Sequence, residues 1–143
     1  MGRLMSIDYG RRRCGIAVTD TLRLIATGLT TVATSKLVEF VCDYIKKEDV
    51  DRIIVGLPRS ASGALSESMN YIKPGIGQLR KAVPEIPIEF FDERFTSVLA
   101  HRSMLDMGMK KMQRRDKAAV DEIAATIILN DYLQSKQYND QLT

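Results

Sequence analysis

The stretch that most constrains this chain is residues 3–20, where two strand-like runs close around a carboxylate. Leu4, Met5, Ser6 and Ile7 form a largely apolar run that ends on Asp8. Tyr9, Gly10 and three arginines follow, and a second run extends from Cys14 to Thr19. Two strands joined by a tight basic turn is the simplest structure for this pattern. In the second run, strand alternation puts Ile16 and Val18 on one face and Ala17 and Thr19 on the other. Asp8 needs a reason to be there. A carboxylate at the end of a buried strand costs roughly several kcal/mol unless it is paired or bound to a cation. Two readings follow: Asp8 caps the turn or pairs with Arg11 or Arg12, or it holds a cation.

The remainder of the chain reads as an α/β protein. Residues 24–32 are apolar and β-branched, interrupted by Gly28, and complete an antiparallel meander of three strands. Thr34 or Ser35 is placed to cap a helix over 36–48, in which Leu37, Val38, Val41, Cys42 and Ile45 recur at helical spacing. A short strand over 52–55 follows and ends in Gly56, Leu57 and Pro58. Strand, helix, strand in this order predicts a right-handed crossover and a parallel pairing. Residues 59–65 are small and polar and predict a loop at the carboxyl end of that strand, the edge where α/β sheets bind ligands. A helical pattern over 66–83 contains Pro74 and Gly75, which predict a kink or two shorter helices.

A fifth strand over 86–91 runs into Asp92, Glu93 and Arg94, so a second acidic cluster also terminates a strand. Thr96 can cap a helix over 96–107 that stops at Gly108. Residues 108–115 have no usable apolar period and predict an exposed, mobile loop. The last helix, over 116–135, is the most strongly periodic, with Ala124, Ala125, Ile128 and Tyr132 as its inward stripe. With 143 residues the chain fits one domain over 1–136, followed by a polar tail over 137–143 that is expected to fray.

Carried back one turn, the stripe of the last helix lands on Asp121, while Glu122, rotated by about 100°, should look toward solvent. Asp121 could favour the positive helix N-terminus or pair with Arg94. It also joins two other carboxylates under one description: Asp8 at the end of strand one, Glu93 at the end of strand five, and Asp121 on a helix packed against the sheet. If they converge, each raises the others' cost of ionisation, and the arrangement makes sense with cations between them. Oxygen ligands without sulfur or imidazole point to magnesium or manganese. Two such ions can activate a water and steady the departing oxygen of a phosphodiester. Such chemistry needs no serine nucleophile and no organic cofactor. The two cysteines, Cys14 and Cys42, and the single histidine, His101, form no metal-ligand pattern, and the thiols read as buried hydrophobes of a reducing compartment. The chain has no apolar segment long enough to span a bilayer and no signal-peptide pattern, so the expectation is a cytoplasmic protein.

The local strings resemble those of the YqgF family of Holliday-junction resolvases and ribosomal-RNA precursor nucleases, a branch of the ribonuclease H-like superfamily. The matching strings are Ile7-Asp8-Tyr9-Gly10 with Gly15-Ile16-Ala17-Val18-Thr19-Asp20, Val55-Gly56-Leu57-Pro58 with Gly63, and Asp92-Glu93-Arg94-Phe95-Thr96-Ser97. A fourth joins Lys117 to Asp121-Glu122-Ile123-Ala124-Ala125, Ile128-Leu129 and Tyr132-Leu133. The resemblance implies a ribonuclease H-like fold with a central five-stranded mixed sheet flanked by helices. It implies a nuclease whose acidic triad is Asp8, Glu93 and Asp121, using Mg2+ or Mn2+. Arg59, Ser60 and Ala64 stand where the family often has an asparagine and a Gly-Thr pair, and Pro74-Gly75 breaks a helix that is commonly uninterrupted.

The net charge of +3 is too small to name a partner, but its distribution is informative. Arg11, Arg12 and Arg13 lie just beyond Asp8, while Lys110, Lys111, Arg114, Arg115 and Lys117 precede Asp121. Both clusters would flank the metals and meet phosphates without reading bases. Arg94 either orients Glu93 or contacts phosphate. The implied partner is nucleic acid, with pre-16S ribosomal RNA favoured and a four-way DNA junction as the alternative. Two further readings compete. Asp8-x-Gly10 with Gly15 is similar to the phosphate hairpin of sugar kinases and actin-like ATPases, which close two domains over a nucleotide where this chain has one. A non-catalytic nucleic-acid or ribosome-binding module would keep the fold and use only the basic loops.

Overall fold

The computed structural model describes residues 2–57, 68–92 and 117–142. Its elements are β1 (Arg3–Tyr9), β2 (Arg13–Thr19), β3 (Ala26–Ala33), a 3-10 turn (Thr34–Lys36), α1 (Leu37–Lys47), β4 (Val50–Leu57), α2 (Met69–Ala82), β5 (Ile88–Asp92) and α3 (Lys117–Leu142). The loop expected over 59–65, the helix over 96–107, Glu93, Arg94 and the cluster from Lys110 to Arg115 lie outside the described residues.

The strands form one sheet in the order β3-β2-β1-β4-β5. The meander is antiparallel, with Asp8 opposite Gly15 and Ile16 opposite Thr30. β4 pairs in parallel with β1, Ile7 beside Val55, and β5 pairs in parallel with β4, Leu57 beside Asp92. The parallel pairing expected after α1 therefore forms with β1 rather than with the strand that precedes the helix. β3 is paired by β2 on one side only and forms an edge of the sheet, and the more apolar β1, paired by β2 and β4, is the central strand.

Period-two alternation sorts the sheet into two faces. Met5, Ile7, Ile16, Ile53 and Val55 bury against α1 and α2 through Leu37, Val41, Ile72, Ile76 and Leu79. Leu4, Ala17 and Ile54 bury against α3 through Ala125, Ile128, Leu129 and Tyr132. Small residues at Ala17 and Ala125 let α3 lie close to the sheet. Ser6, fully buried on this face, donates its hydroxyl to the Ala125 carbonyl at 2.6 Å, which satisfies a polar group that would otherwise be costly.

Several local expectations are corrected. β3 starts at Ala26, leaving Leu24 and Ile25 in the preceding turn. There the Asp20 carboxylate accepts both of their amides, at 2.8 and 2.9 Å, and Arg23 takes a left-handed φ of 59°. The Thr34 hydroxyl donates to the Gly10 carbonyl at 2.7 Å and makes no helix cap. α2 is one continuous 14-residue helix through Pro74, not two. Proline removes one backbone donor, but the carbonyl it would have served belongs to exposed Asn70, and the buried row Ile72, Ile76 and Leu79 holds the helix together. α3 continues past Ser135 to Leu142, because the polar residues there include no glycine or proline to stop it.

Under α3, Tyr132 donates its hydroxyl to Glu89, and Arg52 pairs with the same carboxylate oxygen at 3.1 Å. Burial first, and the bond to Glu89 second, push the Tyr132 phenol up to about 12. The fold keeps this proton where the unfolded chain, with an ordinary value of 10.0, has lost it. The contribution is therefore complete below pH 10 and is lost as pH rises toward about 12. Tyr132→Phe should cost ~1 kcal/mol at neutral pH, the net worth of one hydrogen bond. It should also make the alkaline fall in stability shallower, as urea denaturation at a series of pH values would measure.

Candidate active site

Three elements meet where β1 ends and β2 begins. Asp8 is the sixth residue of β1 and lies on the same face as Leu4 and Ser6, the face that α3 covers. Its ladder partner is Gly15. Directly opposed residues in an antiparallel pair project to the same face, so Asp8 and the bare position at Gly15 share it. What fills the space over Gly15 is the backbone of α3: a Cβ built there would lie 2.0 Å from the Asp121 carbonyl oxygen and 2.9 Å from the Glu122 nitrogen. The missing side chain thus seats the turn of α3 that carries Asp121 beside the strand pair that carries Asp8.

Asp121 is half-buried, and its Oδ2 accepts from Nε of Arg13 at 3.1 Å. Arg13, two residues before Gly15, shares the α3 face by alternation, which is why the guanidinium reaches the carboxylate. Glu122 does not look to solvent as expected. It lies across β3, its Oε1 2.7 Å from where a Cβ on Gly28 would be. On the other face, burial pushes the Cys14 thiol up, and the charges of both Asp8 and Asp121 add to that shift. Hydrogen bonds with Thr34 and the Gly10 backbone pull the other way without cancelling it, so the thiol stays protonated at neutral pH.

The remaining basic candidates divide. Arg11 and Arg12 are exposed in the β1–β2 turn, with the Arg12 carbonyl accepting the Thr34 amide at 2.9 Å. Lys117 opens α3. Among the described residues no three acidic, histidine or cysteine side chains gather as a metal site. Asp8 and Asp121 supply two hard oxygen donors on one face, a set suited to magnesium or manganese and not to a soft metal. The third expected ligand, Glu93, directly follows β5 in the sequence and lies outside the described residues.

A five-stranded mixed sheet in this order, with helices on both faces, defines an α/β protein of the RuvC-like ribonuclease H fold. The structure superposes on Thermus thermophilus RuvC in complex with a Holliday junction substrate with a TM-score of 0.62 at 14% identity, covering 96% of both chains. That likeness is one of fold. A family model described as "RuvX: Holliday junction resolvase" matches residues 2–135, and the chain belongs to that family. It is similar to a "Putative pre-16S rRNA nuclease" of Phocaeicola vulgatus, 58% identical over 96% of this chain and 99% of the relative. A protein of the same description from Porphyromonas gingivalis is 53% identical over 94% of this chain and 98% of its own. The family resemblance read from the strings around Asp8 and Asp121 is thereby established.

Position 15 carries a legible signal of its own: an isolated glycine within a strand marks a close backbone approach. Gly15→Ala should destabilise the fold by about 1–3 kcal/mol, since the added methyl meets helix backbone that cannot yield as a side chain would. Gly77→Ala is the matched control. Gly77 lies inside α2 with nothing within 4 Å of a built Cβ, so alanine should stabilise by up to ~1 kcal/mol. Urea midpoints of the two variants against the parent would separate packing from helix propensity.

Proposed function

We propose that this protein is a divalent-metal-dependent endonuclease that hydrolyses phosphodiesters in the 5′ processing of pre-16S ribosomal RNA. The observation that carries the reading is the placement of Asp8 and Asp121 on one face of the sheet, brought together over Gly15. Glu93 is the proposed third carboxylate. It follows β5, whose carboxyl end points the same way as that of β1 because β1, β4 and β5 are parallel. Magnesium or manganese, when bound, would supply an activated water and stabilise the leaving oxygen. Arg13 orients Asp121 through Oδ2, and Arg94 is proposed to do the same for Glu93. Arg11, Arg12, Lys110, Lys111, Arg114, Arg115 and Lys117 are proposed to meet backbone phosphates, with Arg13 contributing its charge at the same edge. The names of the full-length relatives favour the ribosomal precursor. Cytoplasmic residence as one nuclease domain over 1–136 accords with this role, and no helix among the described residues is long and apolar enough to cross a membrane.

A second reading, resolution of four-way DNA junctions, is favoured by the description of the family model. Both substrates present phosphodiesters to the same carboxylates, so they are separated by assay. Pre-16S RNA and a four-way junction should be offered side by side with magnesium, manganese or chelator. Metal-dependent cleavage of the RNA is expected, and cleavage of the junction alone would replace the first reading with the second. Asp8→Asn and Asp121→Asn should each lower cleavage by more than about a hundredfold, a loss that removal of mere outer-shell partners of metal ligands can reach. Both should leave the circular dichroism spectrum and RNA retention unchanged. Undiminished cleavage by either variant would remove that residue from the site, and retention without any cleavage by the parent protein would leave a binding module.

A further inference from the structure

Beside the proposed centre, but on the opposite face of the sheet, lies a pair of tyrosines, Tyr9 and Tyr71, that none of the site assignments includes. Tyr9 directly follows Asp8 and faces α2, where its hydroxyl lies against the helix backbone; a Cβ on Gly75 would fall 1.8 Å from it. The rings of Tyr9 and Tyr71 stack at 6.2 Å between centroids with 30° between their planes. The guanidinium carbon of Arg11 lies 5.2 Å from the Tyr71 centroid, and Arg11 is otherwise exposed. Most arginines in the described structure are treated differently. Arg3, Arg13, Arg23 and Arg52 each pair with a carboxylate, whereas among the described residues Arg11 pairs with none and rests on an aromatic ring.

That difference has a chemical consequence. A carboxylate partner occupies part of the N–H edge of a guanidinium, offsets its charge and competes with a phosphate for it. An aromatic ring contacts the guanidinium face, restrains the long side chain, and leaves the N–H edge for a bidentate contact. We propose that Tyr71 is a positioning residue, which, backed by Tyr9, holds Arg11 in place to bind a phosphate of the substrate backbone. The inference rests on the nucleic-acid reading above and adds to it the residue that orients one of the phosphate contacts.

The test separates binding from cleavage. Binding of pre-16S RNA to the full chain is titrated in chelator across a range of KCl, with Tyr71 replaced by phenylalanine or by pentafluorophenylalanine, each with Arg11 intact and with Arg11→Ala. Fluorination withdraws electron density from the ring face with little change of shape; because it also alters the stack on Tyr9, the Arg11→Ala background separates the two effects. Tyr71→Phe should bind as the parent does, and the fluorinated ring should weaken binding about two- to five-fold, the worth of an exposed cation–π contact. Arg11→Ala should weaken binding and lower the log–log salt slope by ~0.7–0.9, the value of one phosphate contact. In the Arg11→Ala background the two rings should bind equally. Equal binding by the two rings with Arg11 intact, a fluorine effect that persists without Arg11, or an Arg11→Ala slope equal to the parent's would each overturn the proposal while leaving the nuclease reading standing. Failure of the parent protein to bind the RNA would remove both.

Discussion

The contact on which the site depends is one between backbones. Over Gly15 the sheet has no side chain, and the peptide that joins Asp121 to Glu122 occupies the space. Hydrophobic burial along Ala125, Ile128, Leu129 and Tyr132 attaches α3 to the sheet, but burial is non-directional and does not set how far along its axis a helix comes to rest. Steric fit at Gly15 and the Ser6 bond to the Ala125 carbonyl supply that register, and with it the position of Asp121 relative to Asp8.

The sheet faces divide labour accordingly. The α1–α2 face carries the larger aliphatic side chains and forms most of the core, whereas the α3 face uses small residues and polar ties, Ser6, Arg13 with Asp121, and Arg52 with Glu89 and Tyr132. Half-exposed ion pairs add little to stability, but they constrain where charged groups point. The Arg13–Asp121 pair is the informative example, since it holds a carboxylate at the edge of the sheet without burying it. A positive charge placed there offsets repulsion between neighbouring acids, and it engages only one of the two carboxylate oxygens.

Elements with strong periodicity were legible in the chain: β1, β2 and the body of α3 follow from alternation and from the 3.6-residue stripe. Asp8 and Asp121 were legible for a related reason, as polar residues on otherwise apolar patterns. Features set by distant partners were not. The neighbour of β4 depends on which strand offers the better apolar edge. The Thr34 hydroxyl serves a turn far from it in sequence, and Glu122 follows the path of α3 over Gly28 rather than the helix's own rotation. Of the two outcomes expected at Pro74, the split into two helices fails because a local breaker was weighed without the buried row that carries α2 past it. Tyr71 gave no signal at all in the string, since its significance comes from Tyr9 and Arg11, residues on another element.

The two carboxylates brought together over Gly15 come from the first strand and from the last helix of the described fold. Such a centre has no partial form. An emerging chain with its meander complete still lacks Asp121, and local contacts cannot supply it, because the closure that docks α3 is among the longest-range the topology requires. Under the proposed assignment of Asp8 and Asp121, competence to cut is coupled to completed folding, and a half-made or truncated copy would present its basic β1–β2 turn to nucleic acid while remaining chemically inert.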